Sequence, residues 1–473
     1  MDLPVLDFAE TMAALPPQQP ADGLDEAIRL ALADRYDVVI VLDDDPTGTQ
    51  TVHEIPVITE WTVEAISAEL KRKSRLFFLL TNSRALKITA VENLIERIGR
   101  NIRTACDQLD LNFITILRGD STLRGHFGVE EGALHYGTGF EHVPDFLIPA
   151  FFEGGRYTIN DIHYVKEGEK LIPAGQSPFA KDSSFGYQSS NLNAWVEEKT
   201  GGGIMAGDVI SISLADLREE APLKLKRKLE NLPPEAQLIV NAADYIDLKR
   251  VALAILRFAK YPQLRTSASF IKALLGQPDR PKLKLKAQQQ GRGGLFIVGS
   301  HVPKTTAQLR HLQQHHKLVE FEVDVKAVVL QVPEFAQEMK MRSMAAALTR
   351  NIAEALQNGQ HVLVYTSREV IKVDGAAANL NIAAAVSGYL ETVVANLPEA
   401  PSFLLTKGGI TSSRIATEAL GVKRAIALGQ VQPGVPTWEL GPESKFPGMP
   451  FIIFPGNVGA DNSLSLILEN TII

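Results

Sequence analysis

Three adjacent carboxylates, Asp43, Asp44 and Asp45, end the apolar run 38–42 and lead into Pro46 and Gly48 among Thr47, Thr49 and Thr51. A short apolar run bounded by turn residues reads as a buried strand. Neighbouring carboxylates repel one another, so a purely structural role for all three is costly, and this strand tip reads as one wall of an active site. Three more apolar runs end in similar residues. The run 76–80 leads to Asn82 and Arg84, 112–117 to Arg118, Asp120 and Arg124, and 145–150 to Glu153 and Arg156. Arg84, Arg118 and Arg124 suit a carboxylate clamp made of paired hydrogen bonds. Asp44 or Asp120 suits orienting a hydroxyl or accepting its proton. His126 and His163 fall inside the same polar stretches and are candidates for substrate contact. In an alternating strand end, Asp43 and Asp45 share one side and Asp44 points to the ligand.

The second half carries glycines where the first carries charges. The run 403–406 leads through Lys407, Gly408, Gly409, Ile410 and Thr411 into a helical stretch from Ser412. The run 451–454 leads into Pro455, Gly456, Asn457, Val458 and Gly459, and 295–298 into Gly299 and Ser300. Backbone N–H groups at a helix start attract anions, and glycine lets that backbone come close to a ligand. One such turn signifies little, but three together favour a nucleotide. No GxxxxGK[ST] occurs, which excludes a P-loop, and no GxGxxG follows a strand, which counts against a dinucleotide-dependent dehydrogenase.

These residues require elements to hold them. Helical spacing is expected over 22–34, 61–73, 88–108 and 251–260, with further strands at 208–217 and 237–242. Residues 1–21 and 160–203 read as irregular. In the second half, strands are expected at 295–299, 319–323, 361–365, 403–406, 425–428 and 451–454, and helices near 303–315, 334–357, 376–397, 412–420 and 462–470. Apolar strands alternating with helices give parallel sheets, whose ligands lie outside the carboxyl ends of the strands. The expected fold is α/β: two domains, each with a mostly parallel sheet flanked by helices, and an active site in the interdomain cleft. The domains are expected at 1–275 and 294–473, joined by a basic, Gly/Pro-bearing linker at 276–293.

The 473 residues carry a net charge of −7, so no basic footprint for nucleic acid is visible. No apolar run approaches the roughly 20 residues that span a bilayer. The N-terminus lacks a basic segment followed by an apolar one. A cytoplasmic enzyme is the expectation, with a homodimer as the default assembly. The single cysteine, Cys106, excludes an intramolecular disulfide and reads as a buried thiol. His311, His315 and His316 have spacing that could chelate a metal but read as a solvated helix face; no metal ligands are assigned.

Taken together, the stretches DDDPTGTQ (43–50), TNSRAL (81–86), RGDSTLRGHF (118–127), FFEGGRYT (151–158), DIHYV (161–165), PFAKDSSFGY (178–187), TKGGITSS (406–413) and PGNVGADNSL (455–464) resemble the four-carbon acid sugar kinases, ATP-dependent enzymes acting on threonate, erythronate or 3-oxo-tetronate. The resemblance implies an N-terminal acid-sugar domain and a C-terminal nucleotide domain. It implies ATP contacts at Ser300, Gly408, Gly409, Ile410, Thr411 and Gly456, with Mg²⁺ bridging the phosphates. The chain departs from the family pattern at Phe454 and Pro455, where members often carry Lys-Ser before the Gly-Asn, without loss of any contact named above. On the residues alone, Asp120 is the first choice of general base and Asp44 the second. Substrate contacts are expected at Asp44, Arg84, Arg118, Arg124, His126 and Arg156. Rival readings are an NAD(P)-dependent oxidoreductase acting on a similar acid and a non-catalytic sugar-acid sensor.

Overall fold

The apolar runs of the first half become neighbouring parallel strands. A computed structural model describes residues 3–472 except 183, 220–221, 279, 287–290, 301, 330–333, 369–375 and 457. It divides into two compact units, Met1–Val52 with Glu60–Asp279, and His53–Thr59 with Arg280–Ile473.

In the first unit, seven strands pair in the order Ile210–Ile212, Gln237–Val240, Asp145–Ile148, Gln263–Thr266, Phe113–Arg118, Val38–Asp43 and Leu76–Leu80. All six pairings are parallel. The chain leaves Val38–Asp43, adds Leu76–Leu80 on one side, and then adds Phe113–Arg118 on the other. That reversal is a topological switch point, where open α/β sheets leave a crevice beyond the strand ends. The helices cover this sheet with spaced apolar residues. Helix Ile88–Gln108 buries Val91, Leu94, Ile95, Ile98, Ile102, Ala105 and Cys106, a three-to-four spacing that keeps one face inward. Each fully buried Ile or Leu contributes about 1.5–3 kcal/mol. Burial also pushes the Cys106 thiol up to about 12, so it is protonated and inert, in keeping with a packing role.

Several expectations for this half are corrected. Residues 160–203 are not irregular: Arg156–Ile159, Ile162–Glu167 and Lys170–Pro173 form an antiparallel sheet, and Leu192–Lys199 is a helix capped by Asn191. The arm 1–21 adds strand Leu6–Asp7 to that sheet and a short helix, Phe8–Ala13, capped by Asp7. Both features need long-range pairing, which local composition does not reveal. The stretch 208–217 is strand only at Ile210–Ile212, because Ser213 and Asp216 form a capping box that starts helix Leu214–Arg218. Helix Val129–Thr138, strand Gln263–Thr266 and helix Ala268–Leu275 were not anticipated.

The second unit orders its strands Ile55–Ile58, Arg424–Gln432, Val435–Leu440, Pro450–Phe454, Leu404–Lys407, Leu295–Val298, Val362–Thr366 and Val319–Val323. The last five run parallel, and the first three pair antiparallel. Its switch point lies at Leu295–Val298, flanked by Val362–Thr366 on one side and Leu404–Lys407 on the other. Strand Ile55–Ile58, drawn by the sequence into the first domain, is built into this unit through its register with Arg424, Ala425, Ile426 and Ala427. Within the stretch read as a linker, Leu285 is buried, and Leu285–Lys286 pairs with Thr471–Ile472.

Candidate active site

At the switch point of the first unit, Asp43 is in register with Leu80 on one side and Arg118 on the other. This brings the first and third charged strand ends together. Arg118 places Nη1 3.3 Å from Asp43 Oδ1 and 3.4 Å from Asp44 Oδ1, with all three side chains buried. The turn Pro46–Thr49 folds back over Asp43. A Cβ on Gly48 would lie 1.9 Å from Asp43 Oδ2, so no larger residue fits there. Asp45 caps that turn by accepting the Thr47 N–H at 2.9 Å, and it pairs with Arg84 Nη2.

The three acids therefore differ in occupation. Asp43 is enclosed by Arg118 and the turn, and Asp45 is committed to Arg84 and Thr47. Asp44 Oδ2 carries no hydrogen bond among the described residues, with Arg84 Nε 3.7 Å away. Their acidities diverge accordingly. Burial outweighs Arg84 and Arg118 at Asp44 and raises its carboxyl to about 6. Burial raises Asp43 to about 8 against the pull of Arg118. At Asp45, burial is overcome by Arg84 and the Thr47 hydrogen bonds, and the pKa falls. A protonated Asp43 relieves the repulsion that three adjacent carboxylates would otherwise suffer.

Arg84 ties this cluster to Asp120, with Nη1 3.4 Å from Asp120 Oδ1. The other Asp120 oxygen accepts Arg124 Nε at 2.8 Å and the Thr122 hydroxyl. Burial opposes ionisation of Asp120, but Arg124 and Arg84 prevail and hold it far below the ordinary carboxylate range. Arg124 also reaches Asp182, Nη1 to Oδ2, at 3.5 Å. His126 is buried edge-on to Phe185, centroids 4.9 Å apart, and burial lowers its pKa. Arg156 is 7% exposed; it donates to the Gly154 carbonyl, yet its Nε has no hydrogen-bond partner and no carboxylate pairs with it among the described residues. Arg124 and Arg156 both lie 5.4 Å from the centre of the Phe179 ring.

Sequence reasoning missed Arg265. It is the last residue but one of strand Gln263–Thr266, and its Nη1 lies 2.9 Å from Glu130 Oε2 and 3.0 Å from Glu131 Oε1. A Cβ on Gly125, whose φ is +132°, would meet Arg265 Nη2 at 3.0 Å and Asp44 Oδ2 at 3.6 Å. Glycine at 125 thus lets Arg265 and Asp44 share one wall. The available signal was an arginine followed by Thr266 and Ser267 ahead of an apolar helix, the same strand-end chemistry in a strand too short and polar to register. His163 is also placed from below. Its ring nitrogens lie 3.0 Å from Thr158 Oγ1 and 2.8 Å from the Ser121 carbonyl, and burial lowers its pKa to about 4. It is a neutral brace under the loop that carries Asp120, not a substrate contact.

The second unit gathers its glycines at its own switch point. A Cβ on Gly408 (φ +119°) would lie 3.6 Å from Ser300 Cβ, and one on Gly456 3.4 Å from Ser300 Oγ. Thr305 Oγ1 links Ser300 Oγ at 3.1 Å to the Gly456 carbonyl at 3.3 Å. One on Gly299 would meet Thr411 Oγ1 at 2.8 Å. Three strand ends thus converge on Ser300. Helix Gly409–Arg414 starts there without a side-chain cap, so its first N–H groups are available to an anion. Ile410 is 53% exposed at that start. Arg368 Nη1 donates to the Ser300 carbonyl at 2.8 Å, adding a cation to the same strand end. Asn457 lies outside the described residues.

Among the described residues no group of three or more His, Cys, Asp or Glu side chains could hold a metal ion. His311 meets Ser465 Oγ at 2.9 Å, stacks on His315, and leaves His316 to pair with Glu469. No described helix is long and apolar enough to cross a membrane.

Residues 39–274 match the sugar-binding N-terminal domain family, and residues 295–464 the nucleotide-binding C-terminal domain family. Among solved structures, a Salmonella typhimurium LT2 protein bearing a provisional tRNA-synthase label is similar over 91% of this chain and 98% of its own, at 15% identity and a TM-score of 0.65. The Haemophilus influenzae protein HI1011, of the family DUF1537, is similar over 91% of this chain and 99% of its own, at 16% identity and a TM-score of 0.62. At such identities these likenesses establish the fold. No curated protein matches the chain.

Proposed function

Because the chain belongs to the four-carbon acid sugar kinase family, we propose that it transfers a phosphoryl group from ATP to the terminal, 4-hydroxyl of a four-carbon sugar acid such as threonate, erythronate or 3-oxo-tetronate. The observation that carries this reading is the occupation of the three acids. Asp44 is buried, keeps one oxygen unbonded and has a pKa near 6, so it can accept a hydroxyl proton near neutral pH. Asp120, the first choice from sequence, is already saturated by Arg124, Arg84 and Thr122; its task is to fix the arginines. Arg156, a buried cation with an unpartnered Nε, receives the substrate carboxylate, which explains how an anion enters beside so many acids.

In the second unit, Ser300, Thr411 and the N–H groups of Gly409, Ile410 and Thr411 receive the phosphates, and Gly408 and Gly456 leave them room. Bound ATP supplies the phosphoryl group. Mg²⁺ would enter with the nucleotide, held by its phosphates together with the one or two carboxylates that such sites ordinarily supply. Such chemistry asks the protein for positioning and charge stabilisation above all. A coupled assay of ADP release across the tetronate stereoisomers and their 3-oxo forms tests the reading. Absence of substrate-dependent ADP release with all of them would refute it.

A further inference from the structure

Lys407 is fully buried at the end of strand Leu404–Lys407, directly beneath the glycine turns. It is in register with Phe454, the last residue of the neighbouring parallel strand. The backbone joins the two chains once more beyond that pair, through Gly408 N–H to the Phe454 carbonyl at 2.9 Å. There both chains turn away, and Pro455 has no N–H with which to extend the ladder. The next link is a side chain: Lys407 Nζ donates to the Pro455 carbonyl at 2.9 Å, with Nζ 3.8 Å from the centre of the Phe454 ring.

No carboxylate pairs with Lys407 among the described residues. Burial drives its pKa well down, and Lys304 pushes the same way. A methionine would fill this space without a buried amine, so packing does not explain a lysine here. What the amine adds is a hold on the turn that follows.

We propose that Lys407 is a positioning residue, which fixes the turn at Pro455 and Gly456 against the turn at 408–411 so that the two form one preformed cradle. That the cradle receives a nucleotide rests on the kinase reading; the tether itself does not. Preorganisation of this kind lowers the ordering cost of binding. It acts on the nucleotide alone, because the acid-sugar residues belong to the other unit.

Two variants test it in the full chain. Lys407→Met keeps the stem and removes the donor, and Lys407→Gln keeps a donor too short to reach. Amide hydrogen exchange at Gly456 and Val458 is expected to quicken at least tenfold in both, with the remaining strands of the sheet unchanged. The KM for ATP is expected to rise about tenfold, while the KM for the acid sugar stays within twofold. A role confined to folding would instead lower the active fraction and leave both KM values alone. Unchanged exchange at Gly456 and Val458 would overturn the tether. So would failure of both variants to accumulate as folded protein, which would assign Lys407 to the folding core. If the wild-type protein neither binds nor uses ATP, the kinase reading falls, and the exchange experiment still decides the tether.

Discussion

Replacing Asp44 by Asn removes one proton acceptor and preserves the shape of a buried side chain. The carboxyl titrates near 6 because burial outweighs the attraction of Arg84 and Arg118. A base with that pKa is about nine-tenths ionised at pH 7 and about one-tenth ionised at pH 5. The value of kcat/KM for the acid sugar, which at saturating ATP reports groups of the ATP-bound enzyme before the acid binds, should therefore rise about tenfold from pH 5 to a plateau above pH 7. General-base catalysis is worth roughly 10²–10⁴ in rate, so Asp44→Asn should lower kcat at least about a hundredfold. The limb near pH 6 should vanish from whatever activity remains. Steady-state ADP release across pH 5–8, at saturating ATP and varied acid, measures both effects. A wild-type profile flat across pH 5–7.5, or an Asp44→Asn variant within about twofold of wild type, would refute the assignment.

Other outcomes follow from the same geometry. Arg156→Met removes a charged donor worth about 1.5–3 kcal/mol. The KM for the acid sugar should then rise roughly tenfold to a hundredfold, with the KM for ATP unchanged; equal changes in both would contradict a carboxylate contact. Asp43 titrates near 8 when folded and near 3.8 when free. The folded state thus holds the extra proton, and this contribution to stability is present below about pH 4 and lost as pH rises toward 8. Thermal unfolding of Asp43→Asn should show a weaker decline between about pH 4 and 8 than the wild type; parallel curves would place the titration elsewhere. Ligand choice separates the kinase from a dehydrogenase: at about 100 times its Kd, ATP–Mg²⁺ should add about 2.7 kcal/mol of stability, and stabilisation by NAD(P) alone would reverse that choice.

Local pattern carried much of this molecule. Strand Leu76–Leu80 and helices Ile88–Gln108 and Pro303–His315 fall where their apolar spacing placed them, because each is long or apolar enough for its own period to dominate. The strand ends also announced their chemistry. Arg84, Arg118, Asp120 and Asp44 meet in one cluster, since residues beyond the carboxyl ends of adjacent parallel strands must share a crevice. The glycine turns at Ser300, Gly408 and Gly456 meet for the same reason.

Only the tertiary structure decided what each acid does. Asp43, Asp44 and Asp45 are chemically identical in the sequence; one is enclosed, one caps a turn, and one keeps an unbonded oxygen. Their pKa values diverge because burial and the nearby arginines are properties of the assembled sheet. Arg265, the antiparallel sheet at Arg156–Pro173, and the membership of Ile55–Ile58 in the second unit rest on pairings between distant segments, which no local window contains. Lys407 illustrates the limit best: its sequence neighbours suggest an exposed turn, and only the strand beside it shows the side chain buried against Phe454 and bonded to Pro455. Composition and spacing fixed which residues gather at each strand end, whereas burial and long-range pairing assigned each of them its role.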